Sequence, residues 1–119
     1  MKRKILISSN NESGKNALEV KEFREIIYMK SFEGKTKTYC CEGKENLIKK
    51  SLSQIEEKLP KEKFFKIHKS IIINIDYIKG INANAQRTVT LQDGIELQVA
   101  QRKYKDFMEF LKTNFEIWL

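Results

Sequence analysis

Short runs of apolar and β-branched residues, many alternating with polar ones, recur along the chain and predict a protein built mainly from β-strands. In the clearest case Val89 and Leu91 alternate with threonines, Asp93-Gly94 forms a turn, and the alternation resumes at Ile95. Asp-Gly between two alternating runs is among the strongest short-range signals for a hairpin. Strands are expected at residues 2–8, 17–20, 26–30, 38–42, 45–48 and 77–82, on both sides of His68-Lys69-Ser70, and on both arms of this hairpin.

Two segments have the spacing of helices instead. Ser51 and Gln54 fit a capping box, in which each side chain bonds to an otherwise unpaired backbone amide of the other residue. An apolar stripe follows, and Pro60 is expected to end this short central helix because it lacks an amide donor. A C-terminal helix is predicted from about Arg102. Its apolar residues at helical spacing are Tyr104, Phe107, Met108, Leu111 and Phe115.

The segments between these elements are polar and rich in turn-forming residues. Residues 9–16, 31–37, 42–44 and 83–86 are expected to be loops or turns, and residues 21–25 a short helical turn. Strands and helices do not alternate, which excludes a parallel doubly wound sheet and favours a mainly β fold with accessory helices. Residues 1–119 are expected to form a single domain.

Charge and composition narrow the kinds of partner. The chain carries 23 basic against 16 acidic residues, a net charge of +7. Such a surplus attracts polyanions, although a lysine-rich surface also serves solubility alone. No apolar run approaches the length that crosses a bilayer, so no membrane contact is expected. The apolar run near the amino terminus is too short for a secretory signal, which predicts a cytoplasmic protein.

The residue types of an active site are largely missing. His68 is the single histidine, and the sequence contains neither a Gly-rich phosphate loop nor a metal-ligand spacing. Cys40 and Cys41 are adjacent, so in a strand one thiol points to the core and the other outward. Two such cysteines cannot complete a structural zinc site. We therefore expect no enzyme activity, no cofactor and no metal.

Several segments together resemble the LytTR family of bacterial DNA-binding domains. The most characteristic is residues 64–78, Phe-Phe-Lys-Ile-His-Lys-Ser-Ile-Ile-Ile-Asn-Ile-Asp-Tyr-Ile. Residues 26–31, 51–60, 89–99 and 102–105 resemble further family segments in the same order. The resemblance implies an elongated fold of stacked antiparallel β-sheets with a short central helix and a C-terminal helix.

It also implies that connecting loops, rather than a helix, enter the grooves of DNA. The first loop corresponds to residues 33–37, with Lys35 and Lys37 as alternative contacts because the alignment there is shifted by one residue. The second is His68-Lys69-Ser70, in which His68 orients the loop. The third is the start of the last helix. The DNA-binding residues expected from the resemblance are Lys35, Lys37, Lys69, Ser70, Gln101, Arg102, Lys103 and Lys105.

The chemistry of these residues fits such roles. Lysine and arginine donate to guanine or neutralise phosphate, and glutamine can bond adenine through two hydrogen bonds. Where relatives commonly have Ser-Arg-Arg, this chain has Ala100-Gln101-Arg102. The missing serine removes a helix cap, and Gln101 is expected to move base preference toward A·T pairs.

The sequence thus predicts sequence-specific binding to double-stranded DNA, as a bacterial transcriptional regulator or as the output domain of a response regulator. The resemblance implies paired DNA repeats and a homodimer on DNA. A receiver domain, which precedes such domains in response regulators, is absent from these residues. The alternative is a β module that binds RNA or protein. RNA readers usually carry exposed aromatic residues for base stacking, whereas the aromatic residues here lie within apolar runs.

Overall fold

The computed structural model describes residues 4–10, 16–84 and 86–118, which form a mainly β fold. Within these ranges there are ten strands and two α-helices. The strands are β1 Lys4–Asn10, β2 Asn16–Glu22, β3 Ile26–Phe32, β4 Lys35–Cys40, β5 Glu45–Ile48, β6 Phe64–His68, β7 Ile71–Asn74, β8 Ile78–Asn82, β9 Thr88–Leu91 and β10 Glu96–Gln98, and the helices are α1 Leu52–Glu56 and α2 Gln101–Asn114. Short 3₁₀ turns occupy Phe23–Glu25, Cys41–Gly43 and Ile75–Tyr77.

The strands form three antiparallel sheets, which confirms the stacked antiparallel sheets that the resemblance implies. The central sheet has five strands in the order β5-β4-β3-β7-β6. A second sheet has the order β10-β9-β8, and β1 pairs with β2 alone. The hairpin predicted around Asp93-Gly94 is confirmed, because β9 pairs with β10 across it. Gly94 has a φ of 86°, a left-handed conformation that glycine adopts without steric cost.

Each face of the central sheet buries its own apolar cluster. On one face, Ile73 packs with Val89 and Leu91 of the three-stranded sheet and with Phe107 of α2. On the other face, Met29 and Ile72 pack with Leu52 and Ile55 of α1, and Ile5 of β1 adds to this cluster. The central sheet is therefore covered on both sides. The layers build an elongated molecule, about 50 × 28 × 25 Å in extent.

The capping box at the start of α1 is confirmed. The Gln54 amide donates to Ser51 Oγ at 3.2 Å, and the Ser51 amide donates to the Gln54 side chain at 3.0 Å. The α-helix is shorter than predicted and ends at Glu56, ahead of Pro60. Tighter bonds then follow, from the amides of Lys58 and Leu59 to carbonyls three residues earlier. Leu59 is still buried, so the apolar stripe was read correctly although the regular helix is shorter.

The loop predicted at residues 31–37 was wrong. Strand β3 runs to Phe32, which pairs with Lys35, so only Glu33 and Gly34 remain as a turn. Both turn residues have positive φ, 49° and 78°, the pattern of the tight turns that suit hairpins. Alternation explains the strand: Thr36, Thr38 and Cys40 are buried, and the residues between them lie on the other face.

Other element boundaries differ by a few residues. Strand β4 ends at Cys40 instead of continuing to residue 42, because Glu42 has a φ of 64° within the following 3₁₀ turn. Strands β1 and β2 both reach into the predicted turn at residues 9–16, of which residues 11–15 lie outside the described part. Helix α2 begins at Gln101, and Phe115 is its C-cap rather than a helical residue.

Candidate functional site

Three connections of the chain meet at one end of the central sheet. The Ser31 amide, near the end of β3, donates a 2.9 Å hydrogen bond to the Ser70 carbonyl in the turn between β6 and β7. The Ala100 amide, just before α2, donates a 2.8 Å bond to the Ile67 carbonyl near the end of β6. These bonds place the β3–β4 turn, the β6–β7 turn and the start of α2 side by side.

The β6–β7 turn presents Lys69 to solvent. His68 pairs with Ile71, so Lys69 and Ser70 alone form the turn, and a bulge between Lys66 and His68 precedes it. The Ser70 amide donates to His68 Nδ1 at 3.2 Å, and Ser70 Oγ lies 3.0 Å from the same nitrogen. Ser70 is half-buried and Lys69 is exposed. Hydrogen bonds on one side of the turn thus fix the backbone that carries the Lys69 ammonium group.

The two candidate lysines of the first loop occupy different positions on β4. Lys35 is the first residue of the strand and is exposed beside the Glu33-Gly34 turn. Lys37 lies two residues further along on the same face. Its ammonium group is 3.7 Å from a Glu45 carboxylate oxygen and 5.5 Å from the centre of the Tyr39 ring. Lys35 is thus the freer of the two at the end of the sheet.

The start of α2 carries exposed polar side chains, and among its first backbone amides that of Lys103 donates to the Ala100 carbonyl at 2.8 Å. Gln101 and Arg102 are both exposed. Ala100 is the N-cap and makes no side-chain hydrogen bond to the helix. The first amides of a helix have no acceptor within it, and the helix dipole adds partial positive charge there. We call the end of the sheet that carries Lys35, Lys69, Ser70, Gln101 and Arg102 the tip surface.

The two remaining predicted residues lie further along α2. Lys105 is exposed, one turn beyond Gln101. Lys103 is half-buried and lines a groove between α1, β6 and α2, together with Glu56, Lys66 and Asp106. The structure therefore brings five of the eight predicted residues together at the tip surface. Lys37, Lys103 and Lys105 are set back from it.

A pair of lysines near the tip surface was not among the predicted residues. Lys49 and Lys50 follow β5 directly and are exposed. The Thr36 hydroxyl donates a 2.9 Å hydrogen bond to the Lys50 carbonyl, so this pair lies next to the start of β4 and hence to Lys35. Two adjacent lysines immediately before a helix cap were the sequence signal, but the position of β5 in the sheet was needed to interpret it.

Outside the tip surface, the described residues give little support to other kinds of functional site. Cys40 is buried, and burial raises the pKa of its thiol to about 11, so it is a poor nucleophile at neutral pH. No group of three or more metal-ligating side chains occurs in residues 4–10, 16–84 and 86–118. No helix in the same ranges is long and apolar enough to cross a membrane.

Stacked antiparallel sheets with basic turns at one end define a mainly β domain with a cationic end suited to a polyanion. Residues 16–112 match the family described as the LytTr DNA-binding domain, and the chain belongs to this family. The family is one of DNA-binding domains and not a class of enzymes.

Two known proteins illustrate the relationship. The sensory transduction protein LytT of Bacillus subtilis (strain 168) is 26% identical over 99 residues, which cover 80% of this chain and 40% of that protein. The chain thus spans less than half of that relative. A solved LytTr DNA-binding domain from Bacillus cereus superposes with a TM-score of 0.76 at 24% identity, covering 89% of this chain and 95% of the other. This second match confirms the predicted fold.

Proposed function

We propose that this domain binds double-stranded DNA sequence-specifically through the tip surface, as part of a bacterial transcriptional regulator. The observation that supports this most is the convergence of three exposed polar connections at one end of a rigid sheet, two of them joined by the bond from Ser31 to Ser70. Turns held this way meet a groove with little further loss of backbone entropy, because their backbones are already fixed.

The side chains of the tip surface divide into two roles. Lys69 and Arg102 are exposed cations that donate to guanine O6 and N7 or to phosphate, and Gln101 matches the donor and acceptor edge of adenine. The first amides of α2 bind a phosphate oxygen, as helix N-termini do. Ser70 supports the turn through His68, and its oxygen is engaged there. Base contacts thus come from Lys69, Gln101 and Arg102, and phosphate contacts from Lys35 and the helix start.

The aromatic residues favour DNA over the RNA alternative. Tyr28 and Phe64 are buried, and Tyr28 stacks on Tyr39 with ring centres 4.3 Å apart inside the fold. Phe65 packs against Phe107 and Phe110. Recognition of unpaired RNA bases usually requires such rings on an open strand surface. These six aromatic side chains pack in the apolar clusters instead, whereas Phe32, Phe115 and Trp118 are exposed.

The test is selection from a library of random duplex DNA, followed by competition with RNA of the same sequences. We expect one enriched duplex motif and little loss of binding when RNA is added. If no motif is enriched, or if RNA competes as well as DNA, the domain is a different kind of binding module. The enriched motif should occur as paired repeats, and binding to two repeats should place two copies of the chain on one duplex, as sedimentation would measure.

The relative from Bacillus subtilis is named a sensory transduction protein, and this chain spans 40% of its length. We infer that the present domain is the output part of such a regulator. Deleting this domain from the natural protein should abolish binding to the selected motif. A deletion variant that binds the motif as well as the whole protein does would contradict the inference.

A further inference from the structure

Lys49 and Lys50 lie on a short segment whose backbone is held on both sides. Before them, Ile48 pairs with Thr36 in the sheet. After them, Ser51 begins the capping box of α1, and the Thr36 hydroxyl bonds to the Lys50 carbonyl at 2.9 Å. Both lysines are nonetheless exposed. The backbone of this segment is therefore held in place, and the two ammonium groups extend from it rather than from a loose loop.

Neither ammonium group is paired with a carboxylate among the residues that the structure describes. In the described part of the chain, Lys37, Lys63, Lys66 and Lys112 each lie within 4 Å of a carboxylate, but Lys49 and Lys50 do not. Two adjacent, unpaired positive charges repel each other and raise the local potential. An anion from outside the protein is the partner that such a pair favours.

The position of this pair extends the tip surface to the far side of the central sheet. The order β5-β4-β3-β7-β6 puts Lys49 and Lys50 at one edge and the start of α2, bonded to Ile67 of β6, at the other. Neighbouring strands lie about 4.8 Å apart, so the four steps from β5 to β6 separate the two edges by about 19 Å. That distance corresponds to roughly six base pairs of duplex at about 3.4 Å per step.

We propose that Lys49 and Lys50 bind the phosphate backbone of the DNA on the side away from α2. This rests on the proposed function, because it takes the duplex to lie across the strand ends. The contact reads no bases, since it is directed at phosphate oxygens. It would fix the duplex at one edge of the sheet while the helix start fixes it at the other, so the turns between them enter the grooves in one register.

The test compares two double variants with the same change in charge. Lys49→Gln with Lys50→Gln removes the pair. Lys44→Gln with Lys61→Gln is the matched control, because both residues are exposed and lie where β5 and β6 begin, at the opposite end of the sheet. We expect the first variant to bind both the selected duplex and an unrelated duplex about tenfold more weakly, and the control to bind nearly as the original chain does.

The dependence on salt separates a phosphate contact from a general effect of charge. Each phosphate contact contributes about 0.9 to the slope of log K against log salt concentration, so the slope should fall by about 1 to 2 in the first variant only. Lys49→Arg with Lys50→Arg should keep the original affinity and slope. Thermal unfolding of each variant shows whether its fold is unchanged.

The outcomes distinguish this inference from the proposed function. Equal affinities and slopes for the first variant and the control overturn the role of Lys49 and Lys50, while an enriched duplex motif still supports sequence-specific binding. A second outcome is that the original chain enriches no motif, while of the two variants only the first loses duplex affinity. The phosphate contact is then supported, and sequence-specific binding is contradicted. If the original chain binds no duplex at all, both proposals fail.

Discussion

The Ser70 amide donates a 3.2 Å hydrogen bond to Nδ1 of His68, two residues before it. Nδ1 therefore acts as the acceptor of this bond. The Ser70 hydroxyl oxygen lies 3.0 Å from the same nitrogen. The one histidine of the chain is thus a structural part of the turn that carries Lys69, as the sequence had indicated.

Replacing His68 should loosen this turn. His68→Ala leaves the half-buried Ser70 amide without its acceptor, which should lower the free energy of unfolding by about 1 kcal/mol. Affinity for the selected duplex should also fall, because Lys69 would no longer be held in one place. His68→Asn is the control, since its side-chain oxygen can accept from an amide two residues later. If the alanine and asparagine variants had the same free energy of unfolding in urea and the same duplex affinity, this role of His68 would be contradicted.

The uncapped start of α2 offers a change that should stabilise the protein. Ala100 has the extended backbone of an N-cap residue but supplies no side-chain acceptor. Ala100→Ser should add a hydrogen bond to an amide of the first turn and raise the free energy of unfolding by about 1 kcal/mol. Ala100→Val, which has no acceptor, is the control for side-chain size. A serine variant no more stable than the valine variant would show that the cap does not form.

Local patterns sufficed to predict part of the fold. The Asp93-Gly94 hairpin and the Ser51 capping box each depend on residues within a few positions of one another, and both are confirmed. Strand β4 was harder to predict. Lysine and threonine alternate there, and the threonines are buried by neighbours distant in sequence. Burial by tertiary contacts, rather than propensity, decides that segment.

The arrangement of the site required the sheet order. The basic turns were identified one by one from the resemblance, but their meeting at one end depends on long-range bonds such as Ser31 to Ser70 and Ala100 to Ile67. Lys49 and Lys50 were missed for the same reason. The turn at residues 42–44 indicates that β4 and β5 are neighbours. The register that sets Thr36 opposite Ile48, and so brings the two lysines beside Lys35, is not specified by that turn.

The turn between β3 and β4 contains a strained residue. Glu33 has a φ of 49°, a left-handed conformation that costs most side chains about 1 kcal/mol, whereas Asn-Gly is the preferred pair for such turns. Glu33→Asn should therefore raise the free energy of unfolding by about 0.5–1 kcal/mol. It should also strengthen duplex binding, because it removes a carboxylate next to Lys35. Glu33→Gln removes the same charge without the turn preference, so it should strengthen binding but leave stability nearly unchanged.

Stability should decline in alkali because two buried groups resist ionisation. Burial raises the pKa of Cys40 from 9.0 to about 11, and that of Tyr28 from 10.0 to about 12. At a pH between the lower and the raised pKa of each group, the unfolded chain has lost a proton that the folded chain keeps. The free energy of unfolding therefore falls as pH rises through that range. From Cys40 alone we expect a loss of about 1–3 kcal/mol between pH 9 and 11. Urea unfolding of Cys40→Ala should lack that part of the decline and keep the part above pH 10 from Tyr28.

Lys69 is the residue whose substitution most directly tests base reading at the tip surface. It is exposed on a turn of two residues that His68 holds rigid. Lys69→Ala should weaken binding to the selected duplex by about 1–3 kcal/mol and relax preference at one base position, while unrelated duplexes lose much less. Lys44→Ala, also exposed but at the opposite end of the sheet, is the control for lost charge. An equal loss on every duplex would instead make Lys69 a phosphate contact, and no loss would remove this turn from the interface.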